Sequence, residues 1–534
     1  MKKFWRNLLS GYFLVLLILL IELAIFIFMQ FFLDNVVEII LSNINIGDDK
    51  ADLVKIIVSL TYLAARTIIF VVAVIIFFKI INKPEDPEFK IPWIVGMLLL
   101  PFFCSVLFLI FGNHGLRKKD RYIVENTKLR FQPYFEDNDK TLIEYSDKLG
   151  HAVGTFKYLN NTTNLAINTN CRCTYYKCGE EFFPAFIEGL KQAEKFIFIE
   201  FFIITDGKEW SAVQEVLVQK AAEGVDVRIV YDDMGCSGTI SPKTPKLMKQ
   251  KGIKCYKFHP FRPILSGVYN NRDHRKIVVV DHKMAFTGGI NLADEYANEI
   301  ERFGYWKDTM IKIEGSAVNN LITIFLQNLN LCVGHLSNYD KFLNHEYEKY
   351  DDEGFVMPFG DGPGDIDEAL IGEQTYINIL NYAKKRVDVS TPYLVPTYSL
   401  IDALRNAALR GVEVNLILPG IPDKKLVYSL AKSNFRYLLD AGVNIYIYTP
   451  GFNHMKSAIA DGELAFVGTI NFDFRSLVHH FECGTVLYKC KCLKEIQEDF
   501  DQMLSVSQKV PKDFKLRGAQ KGICNLLKII SPLF

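Results

Sequence analysis

The feature that most constrains this chain is an internal repeat in its C-terminal part, with a period of about 180–190 residues. Each copy contains a strand-like run, an amphipathic helix-like segment and a second strand-like run that begins at a glycine. These are Lys195–Ile204, Ala212–Glu223 and the run from Gly224 in the first copy, and Arg386–Val395, Leu400–Arg410 and the run from Gly411 in the second. Solenoid repeats have periods of roughly 20–50 residues. The longer period therefore predicts two whole domains.

Alternation of strand-like and helix-like segments from about Asp120 onward is typical of α/β structure. We predict a first α/β domain over residues 120–345 and a second over residues 346–534. A membrane region is predicted before them, over residues 1–119, because apolar residues are concentrated in the first 111 positions.

Three apolar runs in this region are candidates for membrane spans: residues 12–33, 62–81 and 91–111. A run of roughly 20 apolar residues can cross a bilayer as a helix. The first run is longer than the apolar part of a signal peptide and ends in no small-residue cleavage site, which favours a retained anchor. We expect the second and third runs to form a helical hairpin.

The basic residues of this region do not settle its orientation. They lie before the first run, in the hairpin link and after the third run, and three full spans would place the first and last groups on opposite faces. One of the three runs is therefore a candidate for not spanning, and the membrane face of the later domains is left open.

Both copies of the repeat carry the pattern H-x-K-x-x-x-x-D, followed by a glycine turn and an asparagine. The members are His274, Lys276, Asp281 and Asn291 in the first copy, and His454, Lys456, Asp461 and Asn471 in the second. Every member recurs at an offset of 180 positions. A lone histidine in a strand is usually structural, but two intact motifs in matching contexts indicate one shared chemistry.

The spacing has a physical interpretation. Histidine and lysine two positions apart on a strand point to the same face, so an imidazole and an ammonium are expected to share a pocket. The lysine can hold phosphate oxygens as a point charge, and the asparagine can donate further hydrogen bonds to them. The aspartate follows the apolar strand, where it is better placed to brace the hairpin than to contact a substrate.

Over roughly Phe182–Ser505 this pattern resembles the phospholipase D superfamily. The resemblance implies that two domains related by a pseudo-twofold axis form one active site, in which one histidine attacks phosphorus and the other serves as acid and base. It implies His274 as nucleophile and His454 as acid/base, although near-symmetric motifs leave the reverse assignment open. It also implies that Asp308 and Glu482 fix the histidine tautomers. No metal or other cofactor is expected, because two lysines and two asparagines supply the charge stabilisation.

The segment Ile-Asn-Lys-Pro-Glu-Asp-Pro-Glu-Phe-Lys-Ile-Pro-Trp at residues 81–93, with the apolar stretch up to Gly112, looks like the membrane segment of bacterial cardiolipin synthases. That family joins two phosphatidylglycerol molecules and releases glycerol. The resemblance implies a multi-pass enzyme of the cell membrane that acts on membrane lipid. The apolar run before this segment departs from the family pattern.

Alternative functions are a membrane-bound phospholipase D hydrolase, a phosphatidyltransferase for another alcohol, a nucleic-acid phosphodiesterase and an inactive scaffold. Lysine and arginine number 61, as do aspartate and glutamate, so the basic excess of a nucleic-acid-binding protein is missing. We therefore expect no nucleic-acid partner. The two intact motifs argue against a scaffold.

Several other residues have a functional and a structural interpretation. The 11 cysteines form no clear C-x-x-C metal pattern and are treated as ordinary residues. His479 and His480 are not repeated and are interpreted as solvated or structural. Asp232 and Asp233 end a strand near the expected cleft, where a turn role and a substrate role are both open. The apolar tail 523–534 is too short to span a bilayer, so it either lies in the membrane interface or packs on the domains.

Overall fold

The structure, a computed structural model, describes residues 48–83, 87–112, 115–134, 138–260, 270–343, 346–363, 370–516 and 518–529. The chain divides into an N-terminal unit, Met1–Asn113 with Arg262–Val268, and a larger unit made of His114–Phe261 and Tyr269–Phe534. The predicted span at residues 12–33 lies outside the described residues.

The N-terminal unit contains three described helices, α1 (Asp48–Asn82), α2 (Pro87–Leu99) and α3 (Pro101–Phe111). They share a small apolar cluster built from Ile76, Ile80, Met97 and Phe108. The predicted span 62–81 falls within α1, whose stretch Leu63–Asn82 is long and apolar enough to cross a membrane. Among the described residues this is the one helix that meets both conditions.

The third predicted span, 91–111, is not one continuous helix. Leu100 separates α2 from α3 with φ −136° and ψ 74°, and Pro101 opens α3. A residue before proline avoids the helical region, whereas proline is well tolerated at the first position of a new helix. The two resulting helices have 13 and 11 residues, so the described helices do not support the prediction of several membrane passes.

The larger unit contains two principal β-sheets. Seven strands form the first sheet in the order β2-β9-β7-β6-β3-β4-β5. They are β2 (Arg172–Tyr176), β3 (Phe196–Phe201), β4 (Asp226–Asp232), β5 (Lys254–Phe258), β6 (Lys276–Val280), β7 (Met284–Gly288) and β9 (Met310–Glu314). Strands β3, β4 and β5 are parallel, and β6 and β7 form an antiparallel hairpin beside them.

The second sheet has nine strands in the order β1-β10-β19-β17-β16-β11-β13-β14-β20. They are β1 (Asn168–Thr169), β10 (Phe355–Asp361), β11 (Arg386–Ser390), β13 (Glu413–Pro419), β14 (Asn444–Tyr448), β16 (Ser457–Ala460), β17 (Leu464–Gly468), β19 (Glu482–Tyr488) and β20 (Ser507–Lys509). The run from β19 to β14 repeats the order and directions of the run from β9 to β5, as the sequence repeat predicts. Strand β1 joins this sheet although it precedes residue 345 in the chain.

Four short strands form two separate two-stranded sheets. They are β8 (Tyr305–Lys307), β12 (Leu394–Val395), β15 (Gly451–Asn453) and β18 (Phe472–Asp473). Strands β8 and β15 pair in parallel, and so do β12 and β18. The β8–β15 pair joins the two repeats.

Helices of the larger unit pack beside the sheets. They are α4 (Lys118–Phe131), α5 (Asn138–Leu149), α6 (Val153–Thr163), α7 (Gly179–Lys191), α8 (Lys208–Ala222), α9 (Thr244–Gln250), α10 (Val318–Val333), α11 (Ile371–Tyr382), α12 (Tyr398–Leu409), α13 (Lys425–Asp440), α14 (Leu493–Ser505) and α15 (Gly518–Ile529). Gly224 and Gly411 lie just past α8 and α12 with φ +93° and +92°. This left-handed conformation favours glycine after a helix end, so matching glycines terminate matching helices.

The last described helix, α15, packs against α13. The Cys524 thiol donates to the Ser429 carbonyl at 3.2 Å, and the Lys528 ammonium to the Ser433 carbonyl at 3.5 Å. Cys524 is fully buried. Of the two interpretations of the C-terminal tail, packing on the domains therefore applies to this helix.

Candidate active site

His274 lies immediately before β6, and its imidazole faces a carboxylate from the other repeat. The His274 Nδ1 lies 3.0 Å from Oε1 and 2.9 Å from Oε2 of Glu482, the first residue of β19. The Thr469 hydroxyl donates to the same carboxylate. Because Nδ1 is engaged by Glu482, Nε2 is the nitrogen left to react with a substrate.

His454 lies before β16 and has the reciprocal arrangement. Its Nδ1 is 2.6 Å from Oδ2 of Asp308, which follows β8 in the first repeat. The Lys456 ammonium is 2.7 Å from the same Nδ1 and also donates to the His454 carbonyl. An Nδ1–H that donates to Asp308 has no lone pair for a lysine. We therefore assign the Lys456 hydrogen bond to the carbonyl.

Main-chain hydrogen bonds between the repeats hold both pairs in place. The His274 N–H donates to the Phe481 carbonyl at 2.8 Å, and the Phe481 N–H donates to the Arg272 carbonyl at 2.8 Å. On the other side, the His454 N–H donates to the Lys307 carbonyl at 2.7 Å. Each histidine is thus fixed through its backbone to the segment that also supplies its carboxylate.

Burial sets the protonation of the two histidines. It lowers the pKa of His274 to about 3, although the charge of Glu482 opposes the shift. Burial and the neighbouring Lys456 ammonium lower the pKa of His454 to about 4. Both imidazoles are therefore neutral at neutral pH, as a nitrogen nucleophile must be.

The carboxylates remain ionised despite being buried. Burial alone would raise the pKa of Glu482, but His274 and His480 hold it below its usual range. Burial acts in the same direction on Asp308, and the Lys456 ammonium together with the hydrogen bond from His454 outweighs it. An ionised carboxylate stabilises the imidazolium that forms when its histidine takes a proton or bonds to phosphorus.

The two motif lysines are fully buried in the same region. Burial lowers the pKa of Lys276 to about 8, against the opposing charges of Glu482 and Asp308. It lowers the pKa of Lys456 to about 7, with Asp308 again opposing and Lys276 adding to the shift. Because each lysine is influenced by charges from both repeats, the two motifs contribute to one site.

The motif asparagines differ in their contacts. Asn291 accepts from the Ile203 N–H at 3.1 Å and donates to the Tyr296 hydroxyl at 2.7 Å. Within the part of the chain that the structure describes, the side-chain oxygen of the buried Asn471 has no hydrogen-bond partner. The side-chain oxygen of Asn291 is therefore engaged by the protein, whereas that of Asn471 is not.

The motif aspartates lie away from the histidines. Asp281 accepts from the N–H groups of Glu194, Lys195 and Phe196 at 2.8, 2.8 and 2.7 Å. Asp461 accepts from Lys384, Lys385 and Arg386 in the same way, at 2.8–2.9 Å. Both aspartates have φ near +53°. Each one ties the turn of its hairpin to the start of the neighbouring strand, which is a bracing contact.

Asp232 has contacts typical of a turn residue. One of its oxygens accepts from the Met234 and Gly235 N–H groups at 2.9 and 2.8 Å. The other lies 3.0 Å from the Arg272 guanidinium and accepts from the Asp273 N–H at 3.0 Å. Asp232 therefore supports the segment that enters the His274 motif.

His480 lies beside the His274–Glu482 pair, although the sequence did not indicate it because the other repeat has no matching histidine. Its ring centre is 5.6 Å from that of His274 and 6.4 Å from that of Phe202. Its Nδ1 lies 3.6 Å from Oε1 of Glu482. Residues two apart on an extended segment share a face, and this spacing from Glu482 was the available signal. His479 is buried beside it.

The surroundings of His454 are aromatic instead. The rings of Tyr296, Trp306 and Phe452 lie 5.6, 5.6 and 5.4 Å from its imidazole, measured between centres. Trp306 stands two residues before Asp308, as His480 stands two before Glu482. The site thus combines two neutral histidines, two buried lysines and two carboxylates, and its two sides are chemically different.

The arrangement suits covalent transfer of a phosphoryl-containing group. It offers a neutral imidazole as nucleophile, a second imidazole for proton transfer and two ammonium groups for phosphate oxygens. Among the described residues, His274, His480 and Glu482 form a group whose ligand atoms all lie within 4.8 Å of one another and could hold a metal ion.

Comparison with known proteins places this geometry in a family. The family described as "Cardiolipin synthase, PLD-like domain" matches twice, at residues 186–322 and 376–504. The two matches contain both motifs and both carboxylates.

The chain also resembles curated proteins over most of its length. It is 32% identical to cardiolipin synthase 2 of Bacillus cereus, over 87% of this chain and 90% of that protein. It is 41% identical to an uncharacterized protein of Streptococcus mutans, over 85% of this chain and 98% of that protein.

Among solved structures, phosphatidylserine synthase of Haemophilus influenzae has a similar fold. The TM-score is 0.54 at 15% identity, over 71% of this chain and 97% of that one. The structural likeness shows the fold, and the sequence matches show the family. The chain belongs to the cardiolipin synthase family of phospholipase D-like proteins.

Proposed function

We propose that this protein is a phosphatidyltransferase that makes cardiolipin and glycerol from two molecules of phosphatidylglycerol. The observation that carries the proposal is the exchanged pairing of two neutral histidines with two buried carboxylates, beside two buried lysines. The relatives named cardiolipin synthase, matched over most of the chain, support the choice of substrate.

In the first step, Nε2 of His274 attacks the phosphorus of one phosphatidylglycerol. His454 is neutral in the free enzyme and takes up a proton when the anionic phosphodiester binds beside it, because a nearby negative charge favours the imidazolium. The bond from phosphorus to the glycerol oxygen then breaks, and His454 delivers this proton to that oxygen so that glycerol leaves. Glu482 stabilises the His274 ring as it becomes positive. Lys276 and Lys456 neutralise the charge that builds up on the phosphate oxygens.

In the second step, His454 takes the proton from the hydroxyl of a second phosphatidylglycerol. The freed oxygen attacks phosphorus, and the bond between phosphorus and His274 breaks. Cardiolipin is released, and His454 again holds the proton that the next cycle uses. Attack by water would yield phosphatidic acid, so the site must exclude water while the intermediate persists.

We propose the remaining assignments on the same basis. The three apolar runs of the sequence support a multi-pass membrane region over residues 1–119, followed by the two domains at 120–345 and 346–534, although one described helix alone is long and apolar enough to span. Asn291 and Asn471 contact phosphate oxygens. The side-chain oxygen of Asn471 has no hydrogen-bond partner among the described residues, so its amide can turn over and direct the N–H groups to the phosphate, which supports this role. The near-balance of charge supports the absence of a nucleic-acid substrate.

Product analysis tests the overall reaction. Full-length protein is incubated with vesicles of labelled phosphatidylglycerol, and lipids and glycerol are quantified, with His274→Ala as the inactive control. We expect cardiolipin and glycerol in equal amounts. Phosphatidic acid as the main product would indicate a hydrolase and refute the transferase.

The histidine roles need a separate experiment. A phosphatidyl ester of p-nitrophenol has a leaving group that needs no acid, so His454→Asn should still release one equivalent of p-nitrophenol in a burst. The trapped phosphatidyl group should then be found on His274 by mass spectrometry. A burst with His274→Asn and a label on His454 would reverse the assignment.

A further inference from the structure

The two sides of the site differ at one pair of matching positions. His480 precedes Glu482 by two residues, and Trp306 precedes Asp308 by two. His480 therefore places a second imidazole beside the His274–Glu482 pair, whereas the His454–Asp308 pair has an indole. The proposed reaction uses neither residue.

The geometry points to a zinc site formed by His274, His480 and Glu482, at which Zn²⁺ inhibits the enzyme reversibly. Two imidazoles and one glutamate are a donor set that catalytic zinc sites use, with one coordination position left open. Magnesium prefers oxygen ligands and is not expected to compete.

The separations of the ligand atoms fit this ion. Zinc bonds of roughly 2.0–2.2 Å with tetrahedral angles place neighbouring ligands roughly 3.3–3.6 Å apart. Oε1 of Glu482 lies 3.0 Å from Nδ1 of His274 and 3.6 Å from Nδ1 of His480, so the first distance needs to open by only about 0.3 Å and the second already fits. All three ligand atoms lie within 4.8 Å of one another.

A second observation concerns the burial of His480. Its Nδ1 is buried and, as far as the described residues go, has no hydrogen-bond partner, because Oε1 of Glu482 at 3.6 Å lies just beyond hydrogen-bond distance. A buried ring nitrogen without a partner is costly, and a metal ion would satisfy it. The cations Lys276 and Lys456 act on the same carboxylate and would weaken the binding of a second cation.

Zinc at this position would occupy Nδ1 of His274 in place of its proton. It would withdraw electron density from the ring and neutralise Glu482, so Nε2 would become a poorer nucleophile. The inhibition rests on the proposed function, whereas the binding itself does not.

The test uses full-length protein in vesicles of phosphatidylglycerol, without phosphate buffer. Micromolar ZnCl₂ should lower the initial rate of glycerol release more than tenfold, EDTA should restore it, and MgCl₂ should have no such effect. His480→Asn should lose at least nine-tenths of this sensitivity, while His151→Asn, which changes an exposed histidine outside the site, should keep it. Equal inhibition of wild type and His480→Asn, or none of the wild type, would overturn the proposal.

Cobalt binding gives a readout that needs no turnover. Co²⁺ at this site should give visible bands without the thiolate charge-transfer absorption of a cysteine site, and His480→Asn and His480→Gln should both lose them. If the wild-type protein does not turn over lipid, but these bands are present and depend on His480, the zinc site stands and the proposed function fails. Bands that persist in both variants would refute the site.

Discussion

Glu482 offers the sharpest test of the exchanged pairing, because Glu482→Gln keeps the shape of the side chain and removes its charge. The His274 Nδ1 lies 2.9–3.0 Å from both carboxylate oxygens, and the Thr469 hydroxyl donates to one of them. In the variant one carboxylate oxygen is replaced by an NH2 group; the remaining oxygen can still accept from Nδ1–H, but the neutral amide cannot balance an imidazolium. The histidine would lose its charged partner without losing its packing.

The size of the effect follows from this bond. A hydrogen bond to a charged group contributes about 1.5–3 kcal/mol, and about 1.4 kcal/mol corresponds to a tenfold change in rate. If the charge acts only when His274 is positive, kcat for glycerol release should fall by about 10- to 150-fold. KM should change little, because the lysines hold the substrate phosphate.

Initial rates over a range of phosphatidylglycerol mole fractions in mixed micelles would separate kcat from KM. Asp308→Asn should behave similarly, because it removes the matching charge beside His454. A Glu482→Gln enzyme with an unchanged kcat would refute the argument that this carboxylate acts through His274. A large rise in KM at constant kcat would refute it equally.

Three further predictions follow from the same contacts. Asp281→Asn should keep one acceptor for the three backbone N–H groups and tolerate the positive φ, so thermal unfolding should show a free energy of unfolding about 2 kcal/mol lower than that of wild type. Asp281→Ala should lower it further. A kcat per folded molecule below one third of the wild-type value would contradict a bracing role. Because burial lowers the pKa of His454 from 6.5 to about 4, the unfolded chain binds the extra proton between these values. Stability should therefore rise with pH across that window by up to about 1.4 kcal/mol per pH unit, and a His454→Gln variant with the same slope as wild type in pH-dependent thermal melts would refute this. A β-carbon at Gly289 would lie 2.0 Å from Oδ1 of Asp308, so Gly289→Ala should lower kcat at least tenfold, whereas Gly154→Ala, with nothing within 4 Å, should match wild type in the same assay.

Much of the fold follows from local patterns in the sequence. The repeat of strand, helix and glycine turn predicts two sheets with the same strand order, and Gly224 and Gly411 adopt the positive φ that a helix-ending glycine allows. The third apolar run shows the limit of such patterns. Its composition is that of a span, but Pro101 starts a new helix within it, and hydropathy does not register that break.

The site was only partly predictable for a different reason. The motif spacing identifies the histidines and lysines, but the histidine–carboxylate pairs join positions 208 and 146 residues apart in the chain. Spacing along one strand carries no information on pairing across repeats. The sequence favoured a solvated or structural role for His480, because the matching position in the other repeat is Trp306 and the motif argument depended on repeated residues.

The two repeats differ at positions that contact one another, and these differences help one site to perform two unlike chemical steps. Gly289 leaves room for the shorter carboxylate of Asp308, which a side chain there would displace. At the matching position Thr469 donates its hydroxyl to the longer Glu482, which contacts His274 and lies 3.6 Å from His480. One histidine therefore has a carboxylate held by a hydroxyl and a second imidazole, and the other has a carboxylate beside a lysine and aromatic rings. A nucleophile and an acid/base need unlike surroundings, and the differences between the two repeats at these matching positions supply them. The main-chain hydrogen bonds between the repeats are nevertheless similar on the two sides.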